Sequence, residues 1–250
     1  MKATLPESLK AKLLRRKEWS VRWAHRALAG ALTRMPQGPD LILGSLLERQ
    51  PFSPELVIRG YLQGFFPSAI HVTGDMRWHH PDLRGVIPIQ EFHVPKRLGK
   101  LVRNGKFEVR IDSDFQAVIE GCAEPAPRRQ TTYLKPEVIE VYMELHRRGL
   151  AHCVETWQNG ELVGGTYGLA LGGYFASESA FWRVRDASKV ATVHLTEILR
   201  KGGFILHDMW WPTKDMEQFG GYSMAREEFK NVLARALITP ASFDGRVARW

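Results

Sequence analysis

The residues of this chain best suited to chemistry lie between Glu161 and Lys189, in the run ELVGGTYGLALGGYFASESAFWRVRDASK. Glu178 stands in an otherwise uncharged stretch. Aromatic residues surround it at Tyr167, Tyr174, Phe175, Phe181 and Trp182, and Arg183, Arg185 and Lys189 follow directly. A buried carboxylate beside aromatics and cations suits a site that handles a charged substrate. The same residues would also make a twisted hairpin with a salt bridge on its rim. Glycines at 164, 165, 168, 172 and 173 would let a ligand or another backbone come close. Two other places invite a chemical reading. His79 and His80 are adjacent, but neighbours on a strand point to opposite sides and no third ligand follows at metal spacing, so no metal site is expected. Arg128 and Arg129, in a Pro- and Arg-rich loop, are placed to meet phosphate.

The elements that must position these residues follow from periodicity and punctuation. Leu162–Leu171 and Tyr174–Phe181 read as strands joined at Gly172-Gly173, with Ser188 as the candidate cap of a helix to residue 201. Asn159-Gly160 marks a hairpin before them. Ser53 with Pro54 opens a helix that Gly64 ends. Short helices are expected over Lys96–Arg103 and Asp114–Cys122, a strand over Phe107–Ile111, and a longer helix from Pro136 closed by Gly149. Phe204–Leu206 reads as a short buried strand, and Ala225–Leu237 as a last helix. Helix, hairpin, helix and strand after residue 136 predict an α+β or α/β layer domain.

Composition bounds the rest. The 250 residues suffice for one large or two small domains. A net charge of +8 favours a polyanionic partner, nucleic acid before membrane, although a basic protein without such a partner fits equally. Cys122 and Cys153 lack CxxC spacing, which predicts neither a disulfide framework nor a metal cluster and suits reduced thiols in a cytoplasmic core. No apolar run is long enough to span a membrane, and the N-terminus lacks the apolar region of a signal peptide. Residues 1–35 read as a basic amphipathic extension in which Lys10, Arg15, Arg16 and Arg22 alternate with Leu14, Trp19 and Trp23. Such a helix would dock on its own protein or lie on RNA or an anionic membrane surface. The breaker Met35–Pro39 ends it, leaving a small domain over 36–95 and a larger one over 96–250.

Several stretches, in order, resemble the leucyl/phenylalanyl-tRNA–protein transferases over roughly residues 40–237. They are Tyr61–Pro67 (YLQGFFP), Trp78 through Pro81 to Arg84, Phe107–Val109, Val118–Ala123 (VIEGCA), Glu161–Gly168 (ELVGGTYG), Glu178-Ser179 with Phe181, Ala187–Lys189, and Asp208. The resemblance implies a small N-terminal domain and a C-terminal GNAT-like acyltransferase domain. It implies transfer of an aminoacyl group from tRNA to the N-terminal Arg or Lys of an acceptor protein, in the cytoplasm. The reaction is aminolysis of an activated ester, which needs no metal, nucleotide or other cofactor. By the same resemblance, Glu178 engages the cationic peptide terminus and Asp208 supports the reacting amine. Trp78 and Phe175 match substrate-binding positions, and Arg84, Arg97, Arg128, Arg129 and Lys189 become candidates for contacting tRNA backbone.

The departures from that pattern fall in the site. His79 stands for the family's second tryptophan and Tyr133 for another; either ring can still stack on adenine. Thr166 and Ala180 replace methionines, and Thr192 and Leu195 replace Leu and Phe. Buried hydroxyls want partners, which predicts an aminoacyl group smaller or more polar than Leu or Phe. Trp210 replaces a glutamine that orients the amine, and an indole donates one hydrogen bond but accepts none. The expected activity is therefore aminoacyl transfer. The alternatives are a non-catalytic tRNA-binding relative and an aminoacyl-tRNA-dependent ligase acting on a small amine. Acyl-CoA chemistry is disfavoured, because the glycine-rich run lies within a hairpin and does not open a helix.

Overall fold

The computed structural model describes residues 44, 46–69, 76–125 and 132–244. The basic segment 1–35, Arg128 and Arg129 fall outside them. The chain separates into compact units at Gly38/Pro39, and the described residues belong to the second.

Helix α1 (Pro54–Leu62) starts where its cap predicts: Ser53 Oγ accepts from the Leu56 N–H at 3.2 Å. It ends as Gly64 takes φ +83° and the Phe65 N–H returns to the Gly60 carbonyl. The chain then makes a two-stranded antiparallel sheet of β1 (Phe66–Ala69) and β2 (Met76–His79). Trp78 lies flat on α1 at Gly60, where a β-carbon would stand 2.1 Å from Cζ3 of the indole. Gly60→Ala is accordingly expected to lose about 1–3 kcal/mol through overpacking, more than the ~1 kcal/mol that alanine adds in helix propensity. A lowered urea midpoint with shifted tryptophan emission is the expected readout; an unchanged midpoint would contradict it.

The remaining elements build one layered unit. They are β3 (Leu83–Ile87), α2 (Lys96–Arg103), β4 (Glu108–Ile111), α3 (Phe115–Ala123), α4 (Pro136–Arg147), β5 (Ala151–Gln158), β6 (Glu161–Leu171), β7 (Tyr174–Trp182), α5 (Ala187–Lys201), β8 (Leu206–Asp208), α6 (Lys214–Glu217), β9 (Tyr222–Ala225) and α7 (Arg226–Ile238). Seven strands form a sheet in the order β4-β5-β6-β7-β8-β3-β9. All pairs are antiparallel except β7–β8, which the α5 crossover makes parallel. The architecture is α+β, as expected. β3, from the segment predicted to form a small domain, lies between β8 and β9 in the large sheet. Asn159 and Gly160 both take positive φ, the geometry of a two-residue hairpin turn. The predicted cap of α5 is displaced: the helix begins at Ala187 with Asp186 before it at φ +69°. The Asp186 carboxylate is held by Arg97 at 2.9 Å instead of capping the helix.

Successive residues of β6 and β7 face opposite sides of the sheet. On one side α5 covers Phe175 and Val154 with its Ala191, Leu195 and Leu199, and the five pack in one apolar cluster. On the other, Tyr167 meets Phe115 of α3 and Tyr142 of α4, and Tyr174 meets Phe229 of α7. The glycines of β6 serve this packing and not a ligand. A β-carbon at Gly164 would strike Ala187, and one at Gly168 would strike Phe175 and the Ala176 carbonyl. Among the described residues no helix is long and apolar enough to cross a membrane.

Candidate active site

β7 and β8 pair only over Tyr174–Ala176 with Leu206–Asp208, and then part. Two residues beyond the last pair stand Glu178 on one strand and Trp210 on the chain that leaves the other. Both therefore lie just past the end of the parallel pairing. Glu178 is also the extra residue of a β-bulge: Tyr167 pairs with Ser179 and Gly168 with Ser177, so Glu178 has no partner across the strand. A bulge bends its strand and re-aims a side chain, and here it places a carboxylate in the aromatic face of the sheet.

Three phenols surround that carboxylate. Tyr61 of α1 donates to Oε1, while Tyr142 of α4 and Tyr133 donate to Oε2 at 2.8 and 3.2 Å. Glu178 is 6% exposed. Burial pushes its pKa up to about 8 against the lowering effect of the three phenols, and the charge of Asp208 adds to the rise. Burial beside this carboxylate also raises the three phenols well above the ordinary tyrosine range, so they remain donors.

Asp208 belongs to a second knot. Its two oxygens accept a bidentate pair from Arg84, Nε at 2.8 Å and Nη2 at 2.7 Å. Tyr174 Oη donates at 2.6 Å and the Trp210 backbone N–H at 2.9 Å. Arg84 is 1% exposed and its third nitrogen donates to the Gly64 carbonyl at 2.8 Å. Burial disfavours the guanidinium, but the Asp208 charge outweighs it and the pKa is raised. Its plane lies between the rings of Phe66 (4.4 Å) and Phe229 (4.6 Å). Arg84 is therefore no tRNA contact: the alternation of β3 turns it into the aromatic face, where its charge is spent on Asp208. Asp208 likewise has both oxygens engaged, so its part is to hold Arg84 and the 208–210 turn.

The third group is aromatic. Trp210 stacks on Phe66 at 4.7 Å and 16°, which extends the Phe229–Arg84–Phe66 column by one ring. Tyr133 lies 6.1 Å from Trp210 and connects it to Glu178. His79 and Trp211 complete the cluster, 5.7 and 4.6 Å from Phe66. Partial burial lowers the His79 pKa and favours the neutral imidazole. Trp78, its neighbour on β2, faces the other way onto Gly60 and Phe52 and is 8% exposed, so little of its ring is open to a ligand.

The predicted substrate-binding residues thus fall into two sets. Tyr133 and Trp210 meet near Glu178, and His79 joins the same aromatic cluster through Phe66 and Trp211. Phe175 and Leu195 lie in the closed core under α5, with Thr192 on that helix. Thr166 and Ala180 pair across β6 and β7 on the side opposite Tyr167. The hydroxyls do not call for a polar substrate. Thr166 Oγ1 donates to the Ser179 carbonyl at 3.1 Å and Thr192 Oγ1 to the Ser188 carbonyl at 3.0 Å. With those partners inside the protein, the basis for expecting a polar aminoacyl group falls away. Arg97 is exposed and paired with Asp186, and Lys189 lies half-buried in the first turn of α5.

Sequence reasoning named Tyr174 as an aromatic neighbour of Glu178 but missed the hydroxyl roles of Tyr61, Tyr142 and Tyr174, and it missed Arg84 as the partner of Asp208. One signal was available. The chain has only six tyrosines, and a tyrosine buried in a core needs a partner for its hydroxyl.

The sequence model of leucyl/phenylalanyl-tRNA protein transferase matches residues 86–234. A leucyl/phenylalanyl-tRNA–protein transferase of Salinibacter ruber is 48% identical over 185 residues, 74% of this chain and 80% of the relative. Those of Herpetosiphon aurantiacus and Paramagnetospirillum magneticum are 46% and 43% identical, covering 76% and 78% of this chain and 97% and 94% of the relatives.

Proposed function

Because this chain belongs to the leucyl/phenylalanyl-tRNA–protein transferase family, we propose that it moves leucine or phenylalanine from aminoacyl-tRNA to the N-terminal residue, arginine or lysine, of an acceptor protein. The observation that carries this reading is the end of the β7–β8 pairing, just past which Glu178 and Trp210 stand with Tyr133 next to both. In this reading the strands part there far enough for ester and amine to approach from different sides and meet, which is the larger part of what catalysis of aminolysis requires. The amine nitrogen attacks the ester carbonyl carbon, the tetrahedral intermediate collapses, and the ribose oxygen leaves with the proton that the amine loses. The ester is already activated, and the reading assigns no cofactor.

In this reading the aromatic cluster of Phe66, His79, Trp211 and Tyr133 receives the terminal adenosine of the tRNA. The rim of Glu178, with its exchangeable phenols, receives the basic side chain of the acceptor. Arg97 and Lys189 supply phosphate contacts outside the opening. The setting is the cytoplasm, where charged tRNA is found.

The test is direct. The protein is incubated with tRNAs charged with labelled leucine or phenylalanine and with peptides starting in Arg, Lys or Ala. Label should pass to the Arg and Lys peptides and not to the Ala peptide. Retention of charged tRNA with no labelled peptide would support a non-catalytic tRNA-binding protein, and transfer to a free amine alone would support the ligase reading.

A further inference from the structure

Trp210 combines two features that packing alone does not explain. It is a bulky residue in the left-handed backbone region, φ +67°, where non-glycine residues are rare. The conformation is held from both sides: the Trp210 N–H donates to Asp208 Oδ1 at 2.9 Å, and its carbonyl accepts from the Gly85 N–H at 3.0 Å. The side chain is 8% exposed and clamped on Phe66, yet its Nε1–H is buried with no hydrogen-bond partner among the described residues. A buried donor left unpaired is costly and calls for an explanation. Local strain that the surroundings over-determine tends to occur where a ligand is handled. Trp210 stands two residues past the end of the β7–β8 pairing, and Tyr133 connects it to Glu178.

We propose that the Trp210 Nε1–H is the donor that stabilises the carbonyl oxygen of the aminoacyl ester as it becomes an oxyanion. The inference deepens the transferase reading and rests on it. When the amine nitrogen bonds to the carbonyl carbon, the C=O π pair moves onto oxygen, and the indole N–H, already stripped of water, donates to that oxygen. As the pair returns, the C–O bond to the ribose breaks and the ribose oxygen takes up the proton released by the amine. A donor fixed in place beforehand has no reorganisation to undergo at that moment, which is the basis of its effect on rate. The Asp208–Arg84 pair then acts through Trp210, by holding the turn that aims it.

The test compares wild type with Trp210→Phe and with Trp210 replaced by benzothienylalanine, which keeps the size and stacking of indole but has sulfur in place of N–H. The expected result for both is a fall in kcat of about 10²–10³-fold, with KM for the charged tRNA changed less than about threefold. Binding of an unreactive 3′-aminoacylamido-adenosine should be unchanged. Trp210→Gln, which restores an N–H donor, should recover at least about tenfold over Trp210→Phe. A benzothienyl protein with wild-type kcat overturns the role of Trp210, whatever becomes of the phenylalanine variant. Absence of transfer by the wild-type protein is a separate outcome, and it removes the transferase reading together with this one.

Discussion

Arg84→Ala is expected to lower folding stability by about 3–5 kcal/mol, because it removes one partner of a fully buried ion pair and leaves the other charged. Asp208 is 0% exposed and takes two of its four short hydrogen bonds from Arg84. Without the guanidinium, the carboxylate keeps only Tyr174 and the Trp210 N–H. The Gly64 carbonyl also loses the Arg84 donor, and the column Phe229–Arg84–Phe66–Trp210 loses its centre. The asymmetry of the pair gives a sharper version. Arg84→Met combined with Asp208→Asn removes both charges, and it should be less destabilised than Arg84→Ala alone. Urea unfolding of the three proteins decides this. A loss below about 1 kcal/mol for Arg84→Ala, in the range of surface pairs, would mean that the pair is not closed off from water. Transfer activity should fall with Arg84→Ala even where the protein remains folded, since the turn carrying Trp210 hangs from the same carboxylate.

Glu178 yields the second large effect, one of pH. Burial raises its carboxyl to about 8 from the ordinary value of 4.5. The folded protein therefore binds a proton here over a range in which the unfolded chain has already released it. Stability contributed at this position is present below about pH 4.5 and is lost as pH rises through about 8. The full swing is of the order of a few kcal/mol, because each tenfold gain in proton affinity on folding corresponds to about 1.4 kcal/mol. Glu178→Gln removes the titration and keeps a side chain that accepts from the surrounding phenols. The difference in urea midpoint between this variant and wild type should be small at pH 5 and should grow in favour of the variant toward pH 9. A constant difference across that range would show that Glu178 is already charged at pH 5 and that the three phenols outweigh its burial. In transfer assays the same variant should lose its preference for Arg- and Lys-initiated peptides over Ala-initiated ones.

The two effects share a cause. The aromatic face of the sheet holds two carboxylates, one neutralised by a buried guanidinium and the other surrounded by neutral phenols. The rings of Tyr61 and Tyr174, 6.3 Å apart, connect the two groups. The two carboxylates thus sit in unlike surroundings, one paired with a buried cation and the other among neutral donors, and only the second carries a raised pKa.

Much of this was legible from the chain alone, wherever the controlling interaction is local. Ser53 with Pro54, Asp114, Asn159-Gly160, Gly64 and Gly149 act within a few residues of themselves, and the structure has their helices and turns where those residues predicted them. Glu178 drew attention because a lone carboxylate in an uncharged run is unusual at any position, and Asp208 through the family resemblance alone. What the sequence could not decide was which partners those carboxylates would meet. Arg84 lies 124 positions from Asp208 and Tyr61 lies 117 from Glu178. Only the insertion of β3 beside β8, and the seating of α1 against α4, closes those distances. Read along the chain, Arg84 was a cation for RNA and Thr166 a hydroxyl in search of a substrate. In the fold, the guanidinium is committed to Asp208 and the hydroxyl to a neighbouring strand. Charge and polarity belong to the residue and can be read from its type, but whether a group is spent inside the protein or left for a ligand depends on its neighbours in space, which tertiary structure alone supplies.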